Sequence, residues 1–211
     1  MATAVPAGAA SPKPPQVNGD LLLYALVPNA QFGSSFSSSG SYSTGRKLLS
    51  TRAKDHVPSM SCGGFEEVSR AGIYGDTAGA WDEFDNPDWR TQLPTVVYGV
   101  QAVNQFASDA AAMTFYRQAF AKYQACANFI ESGGISVSAT AVTKTLIGRN
   151  LAFQVVQDVT LSADSGTEFF LNKLWVVSGA DVYSFWDLSA TNDEPWPSLM
   201  AELIQRVQRL R

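Results

Sequence analysis

The sequence predicts an α+β fold, a single twisted antiparallel sheet packed against helices, and three observations predict it. From Ile135 to Leu161 apolar residues recur largely at every second position, as in half-buried strands, and turn signals lead on to two more strand segments, ending at Leu188. Residues 109–129 and the C-terminal stretch instead recur at three and four, the period of a helix with one core face. With 45% hydrophobic and 11% aromatic residues, 211 residues bury a core of one domain.

Taken in order, residues 1–19 are Ala, Pro, Gly and small polar residues with too little apolar bulk to fold, a linker or tether. They lack the charged and apolar regions of a signal peptide, so Met1 is expected to follow a removed signal or anchor; an ordinary disordered tail is the alternative. The folded domain is expected over 20–211. Asp20 is placed to cap a short helix over "LLLYALV", which Pro28 and Asn29 end. The serine-rich "GSSFSSSGSYSTG" is loop or edge strand. "TVVYGVQAV", residues 95–103, is apolar on both faces and reads as a central strand or one beneath a helix. Ser108 or Asp109 caps a helix running to about Phe129, with Met113, Tyr116, Phe120 and Tyr123 on its core face.

The period-two region opens with "ISVSATA" and continues in "LAFQVVQDVTL". "DSG" at 164–166 signals a hairpin, "TEFFLNKLWVV" returns, and "SGAD" turns the chain into "VYSFWDL". These are four strands of an antiparallel meander. Pro195 suits a first helical position, and the final helix ends with Arg206, Arg209 and Arg211 at the pole that favours cations.

Charge and motifs exclude several functions. A net charge of -4 and the lack of a basic surface argue against nucleic acid. No apolar run reaches the roughly 18 residues that a spanning helix needs. His56 is the only histidine, in a polar segment, and no phosphate loop, nucleophile elbow or zinc-protease motif is present. No metal or cofactor is expected. The two cysteines are Cys62, in "SMSCGG", and Cys126, which follows Tyr123 on the inward helix face; partners or two buried thiols are both compatible with the residues alone.

The densest functional cluster is "AWDEFDNPDWR", residues 80–90, read as an acidic and aromatic loop. Trp81, Asp82, Trp89 and Arg90 are candidate rim residues of a ligand cleft, with Tyr98, Tyr183 and Trp186 as walls, since pockets combine apolar walls with a few placed polar groups. Arg90 suits a ligand carboxylate or phosphate, held by two parallel hydrogen bonds. The alternative is a hydrolase that uses carboxylates of residues 82–88 by two-carboxylate logic.

The chain also resembles a family, the PknH-like extracellular sensor domains of mycobacterial receptor-type serine/threonine kinases, found too in actinobacterial envelope lipoproteins. The resemblance rests on "LLLYAL", "SCGG", the acidic aromatic segment, "YGVQAVNQFASDAAAMTFYRQAFAKYQACANF", "TLIGRNLAF", "VVSGADVYSF" and "LMAELIQRVQRLR", in that order over residues 20–211. It implies a non-catalytic, extracellular monomer whose broad cleft captures a small molecule, glycan or lipid of the envelope, tied to the membrane only through a tether missing from this chain. It further implies that Cys62 pairs with Cys126, a pair that persists in an oxidising compartment. Closing a loop of 64 positions stabilises by roughly 4 kcal/mol in the chain-entropy account. The family's kinase sensor carries two disulfides; here cysteines for one are present.

Overall fold

The computed structural model describes residues 19–32, 36–43, 78–86, 96–125, 129–130, 135–161, 168–190 and 196–211. Residues 1–18 of the tether, Cys62, Cys126, His56, Trp89, Arg90 and the 164–166 turn lie outside these residues, while Gly19, expected in the tether, is buried in the first turn of α1. In chain order the elements are α1 (Gly19–Ala25), a 3-10 turn (Asn29–Gln31), β1 (Ser37–Ser43), β2 (Ala78–Asp85), β3 (Val96–Gln105) and α2 (Asp109–Ala125). There follow β4 (Phe129–Ile130), β5 (Ile135–Ile147), β6 (Asn150–Leu161), β7 (Glu168–Ser178), β8 (Asp181–Ser189) and α3 (Trp196–Gln208).

All the strands join one open sheet in the order β1-β2-β3-β8-β7-β6-β5-β4, with every neighbouring pair antiparallel. The α+β expectation holds. Two meanders, β1–β3 and β4–β8, meet where the last strand pairs with the third. Short turns make the second meander cheap to close: Gly148 and Gly179 both take φ of 60° at the β5–β6 and β7–β8 turns, a conformation that favours glycine.

Helices cover both faces. On one, Leu22 and Ala25 of α1 and Trp196, Leu199, Met200, Leu203, Ile204 and Val207 of α3 bury against Ala80, Phe84, Val103, Leu174, Val176, Tyr183 and Phe185. On the other, Ala112, Phe115, Tyr116, Ala119 and Tyr123 of α2 bury against Trp81, Val100, Ala102, Phe153, Val155, Trp175 and Val182. Alternate residues of each strand therefore enter opposite cores, which is why β7 and β8 read as nearly unbroken apolar runs. Ser108 Oγ accepts the Ala111 N–H at 3.2 Å and caps α2.

Three expectations are corrected. Residues 78–85 are a strand, not a loop: Trp81 anchors one face and Phe84 the other, while the register to β1 and β3 satisfies the backbone. Helix α2 is described over Asp109–Ala125 and does not extend to Phe129, which belongs to β4. Asp20 lies inside the first turn of α1 rather than before it.

Candidate functional site

On the α2 face, the pairing of β7 with β8 sets Lys173 opposite Trp186 and Trp175 opposite Ser184, a square of adjacent cross-strand pairs. Such partners have Cβ atoms roughly 5 Å apart. Ser184, Trp175 and Lys173 are 1%, 2% and 2% exposed, while Trp186 is half-buried. The Lys173 ammonium donates to Gln157 Oε1 at 2.9 Å and sits 5.1 Å from the centre of the Tyr123 ring, a cation over an aromatic face. Trp175 Nε1, Trp186 Nε1 and Ser184 Oγ have no hydrogen-bond partner among the described residues. Burying such a group unmet costs about 1–3 kcal/mol, so a cluster of them calls for an explanation.

The square continues into β3 and β2. Ala102 stands opposite Ser184, and Trp81 opposite Ala102, so two small residues separate the indoles of Trp81 and Trp175 along one row. In the next row Val100 pairs with Trp186. Tyr98 packs edge-on against Trp186 with ring centroids 5.3 Å apart, and both rings are partly exposed. The result is an aromatic wall, open at Tyr98 and Trp186 and polar at its inner end.

The opposite face carries a groove. Asp20, Leu23, Tyr24, Leu26, Val27, Pro28, Asn29 and Asp82 line an open groove of about 620 Å³. Asp82 accepts a 2.7 Å hydrogen bond from Ser38 Oγ. Beneath the groove Gln101 locks α1 to the sheet: its Oε1 accepts the Val27 N–H at 2.8 Å and its Nε2 donates to the Val27 carbonyl at 2.7 Å.

A buried polar knot lies farther along that face. Tyr183 Oη donates to Asp181 Oδ2 at 3.0 Å, Gln105 Nε2 donates to Asp181 Oδ1 at 3.2 Å, and Arg211 Nη2 reaches Asp181 Oδ2 at 2.5 Å. Burial raises the Asp181 pKa, and the Arg211 charge with the hydrogen bonds offsets part of that rise. Burial, reinforced by the Asp181 charge, pushes the Tyr183 phenol far above its ordinary value, so it remains a donor. Arg211, read from sequence as a helix-end charge, instead meets this buried carboxylate.

The structure thus brings together three of the expected site residues, Trp81, Tyr98 and Trp186, on the α2 face. It separates two others: Asp82 and Tyr183 face α1 and α3, and Tyr183 is fully buried. Alternation along β2 likewise sets Asp82 on the opposite side of the sheet from Glu83 and Asp85, so Asp82 cannot share a cleft with either, while Glu83 and Asp85 stand on the same face. Among the described residues, no group of His, Cys, Asp and Glu is arranged to hold a metal ion. Lys173, Trp175 and Ser184 were not singled out from sequence. For Lys173 and Trp175 the signal was present in "FFLNKLWVV", where a lysine interrupts a strand whose two faces are both apolar.

No protein-family model matches this sequence, and no curated protein matches it. Among solved structures, the fold is similar to the crystal structure of the extracellular domain of PknH from Mycobacterium tuberculosis, with a TM-score of 0.61 and 13% identity over 92% of this chain and 98% of that one. No helix among the described residues is long and apolar enough to cross a membrane. At that identity the likeness is one of fold: this chain has the open-sheet α+β fold of the PknH extracellular domain.

Proposed function

We propose that this chain is a non-catalytic, extracytoplasmic sensor domain of an envelope protein, which captures a small molecule, glycan or lipid against the aromatic wall of the α2 face. The observation that carries the reading is the partly exposed Tyr98–Trp186 pair beside buried donors that have no partner among the described residues. Ligand sites combine such apolar walls with a few polar groups that fix orientation. The likeness to an extracellular domain supports the class, and residues 1–18 serve as the tether. Trp89 and Arg90 follow β2 in the chain and are proposed as rim residues, Arg90 for an anionic group. A Cys62–Cys126 disulfide belongs to the same reading.

Thermal shifts against envelope glycans, lipids and small anions test it. A ligand at a hundred times its Kd adds about 2.7 kcal/mol, a rise of several degrees. That rise is expected to vanish in Trp186→Ala, weaken for anions in Arg90→Ala, and persist in Tyr24→Ala, which alters the groove on the opposite face. A ligand whose effect survives Trp186→Ala but not Tyr24→Ala moves the site to the other face. Turnover of any panel member would overturn the non-catalytic assignment.

A further inference from the structure

We propose, resting on the reading of the α2 face as the ligand site, that Lys173, Trp175, Ser184 and Trp186 form an inner subsite for a carboxylate carried on a small apolar molecule. The four residues converge because their cross-strand pairs are adjacent on one face of β7 and β8. Lys173, Trp175 and Ser184 are more than nine-tenths buried. The polar atoms of Trp175, Ser184 and Trp186 lack hydrogen-bond partners among the described residues.

Hydrogen-bond chemistry selects the guest. An indole N–H only donates, and a hydroxyl donates readily, so the group that completes Trp175, Trp186 and Ser184 must bring acceptors. An ionised carboxylate is acceptor-only, with about four lone-pair positions. An alcohol or sugar brings donors as well, and the amide oxygen on hand, Gln157 Oε1, already accepts from Lys173. The charge of the carboxylate strengthens each bond it accepts, and the nearby Lys173 ammonium favours an anion. Glu83, the acidic residue in the same row as Lys173 and Trp186, stands on β2, two strand spacings or about 10 Å from Trp186. Ala102 and Ser184, the small residues of the neighbouring row, separate the Trp81 and Trp175 indoles, and the Tyr98 and Trp186 rings offer apolar surface for the hydrocarbon part.

The test uses the full chain labelled with nitrogen-15, whose five tryptophans give separate indole N–H resonances. Those of Trp175 and Trp186 are assigned with Trp175→Phe and Trp186→Phe, and the probes are benzoate and hexanoate against benzyl alcohol and hexanol. Both resonances are expected to move saturably with the acids, at least tenfold more weakly with the alcohols, and at least tenfold more weakly with the acids in Ser184→Ala, a change small enough to keep the fold. Resonances that ignore the acids, follow the alcohols equally, or respond unchanged in Ser184→Ala overturn the subsite. An envelope glycan or lipid that raises the melting temperature through Trp186 while the Trp175 resonance stays still overturns the carboxylate assignment and leaves the sensor reading standing.

Discussion

The two faces of the sheet differ in what their polar side chains chiefly meet. On the α1 and α3 face, polar groups of the sheet reach the helices or one another: Gln101 clasps both backbone groups of Val27, Trp196 Nε1 donates to Asp187 Oδ1 at 3.1 Å, and Asn172 Nδ2 donates to Ser189 Oγ at 2.8 Å. On the α2 face the helix packs by rings, with Phe153 at the hub of Tyr116, Phe120, Tyr123 and Trp175, and neighbouring donors stay without partners among the described residues. The first arrangement fixes helices in one place, because breaking a bond there leaves a buried group unmet. The second leaves capacity for hydrogen bonding unused, the condition for receiving something else.

The largest break of this contrast is expected from Gln101→Leu, which keeps the volume but strips the partners from the Val27 N–H and carbonyl. With two buried groups unmet, the loss is about 2–5 kcal/mol in urea unfolding, and the Val27 amide should exchange faster. A loss below about 1 kcal/mol would mean that apolar packing alone holds α1. Gly99→Ala follows, at about 1–3 kcal/mol by the same measurement. A Cβ there meets Phe84 Cζ at 2.5 Å, and that ring is stacked on Phe32 with centroids 4.2 Å apart, so it has little freedom to yield.

The Asp181 knot sharpens the contrast by pH. Its folded pKa lies above the ordinary value of 3.8, with burial as the largest cause. The stability it contributes is therefore fully present below the unfolded value and lost as pH rises through the folded one. Melts from pH 4 to 7 should show the advantage of wild type over Asp181→Asn shrinking as pH rises. An advantage that grows with pH would show that Arg211 outweighs burial. The smallest effect belongs to the α2 face: Ser184→Ala removes a buried hydroxyl without a described partner and should change stability by between zero and about 1 kcal/mol in the stabilising direction, read by urea unfolding. A loss above about 1 kcal/mol would show that the hydroxyl is satisfied in solution, and the two faces would then be alike.

Much of the fold was legible because its periods are local. β5 and β6 alternate, β7 and β8 are apolar runs between turn signals, α2 and α3 repeat at three and four, and Gly148 and Gly179 stand at tight turns. β2 was not legible, since "AGAWDEFD" places acidic residues on both faces and such residues are poor strand formers in isolation. It becomes a strand because β1 and β3 flank it and its two aromatic anchors enter different cores. The site was legible by half for the same reason. Aromatic residues can be marked as wall material from composition, but Trp81 and Asp82 are neighbours in sequence and face opposite sides of the sheet.

By itself the sequence determined most element types, the helix faces, the meander from β5 to β8 and the acidic, motif-poor composition; the elements follow from residues within a few positions of one another. The tertiary structure decided what depends on partners distant in the chain: that the last strand closes on the third, that Arg211 meets Asp181, and that Lys173, Trp175, Ser184 and Trp186 share one square. Strand register is the physical reason. A shift of one residue would turn each of these side chains to the other face, and the register is chosen by the two cores together rather than by any single strand.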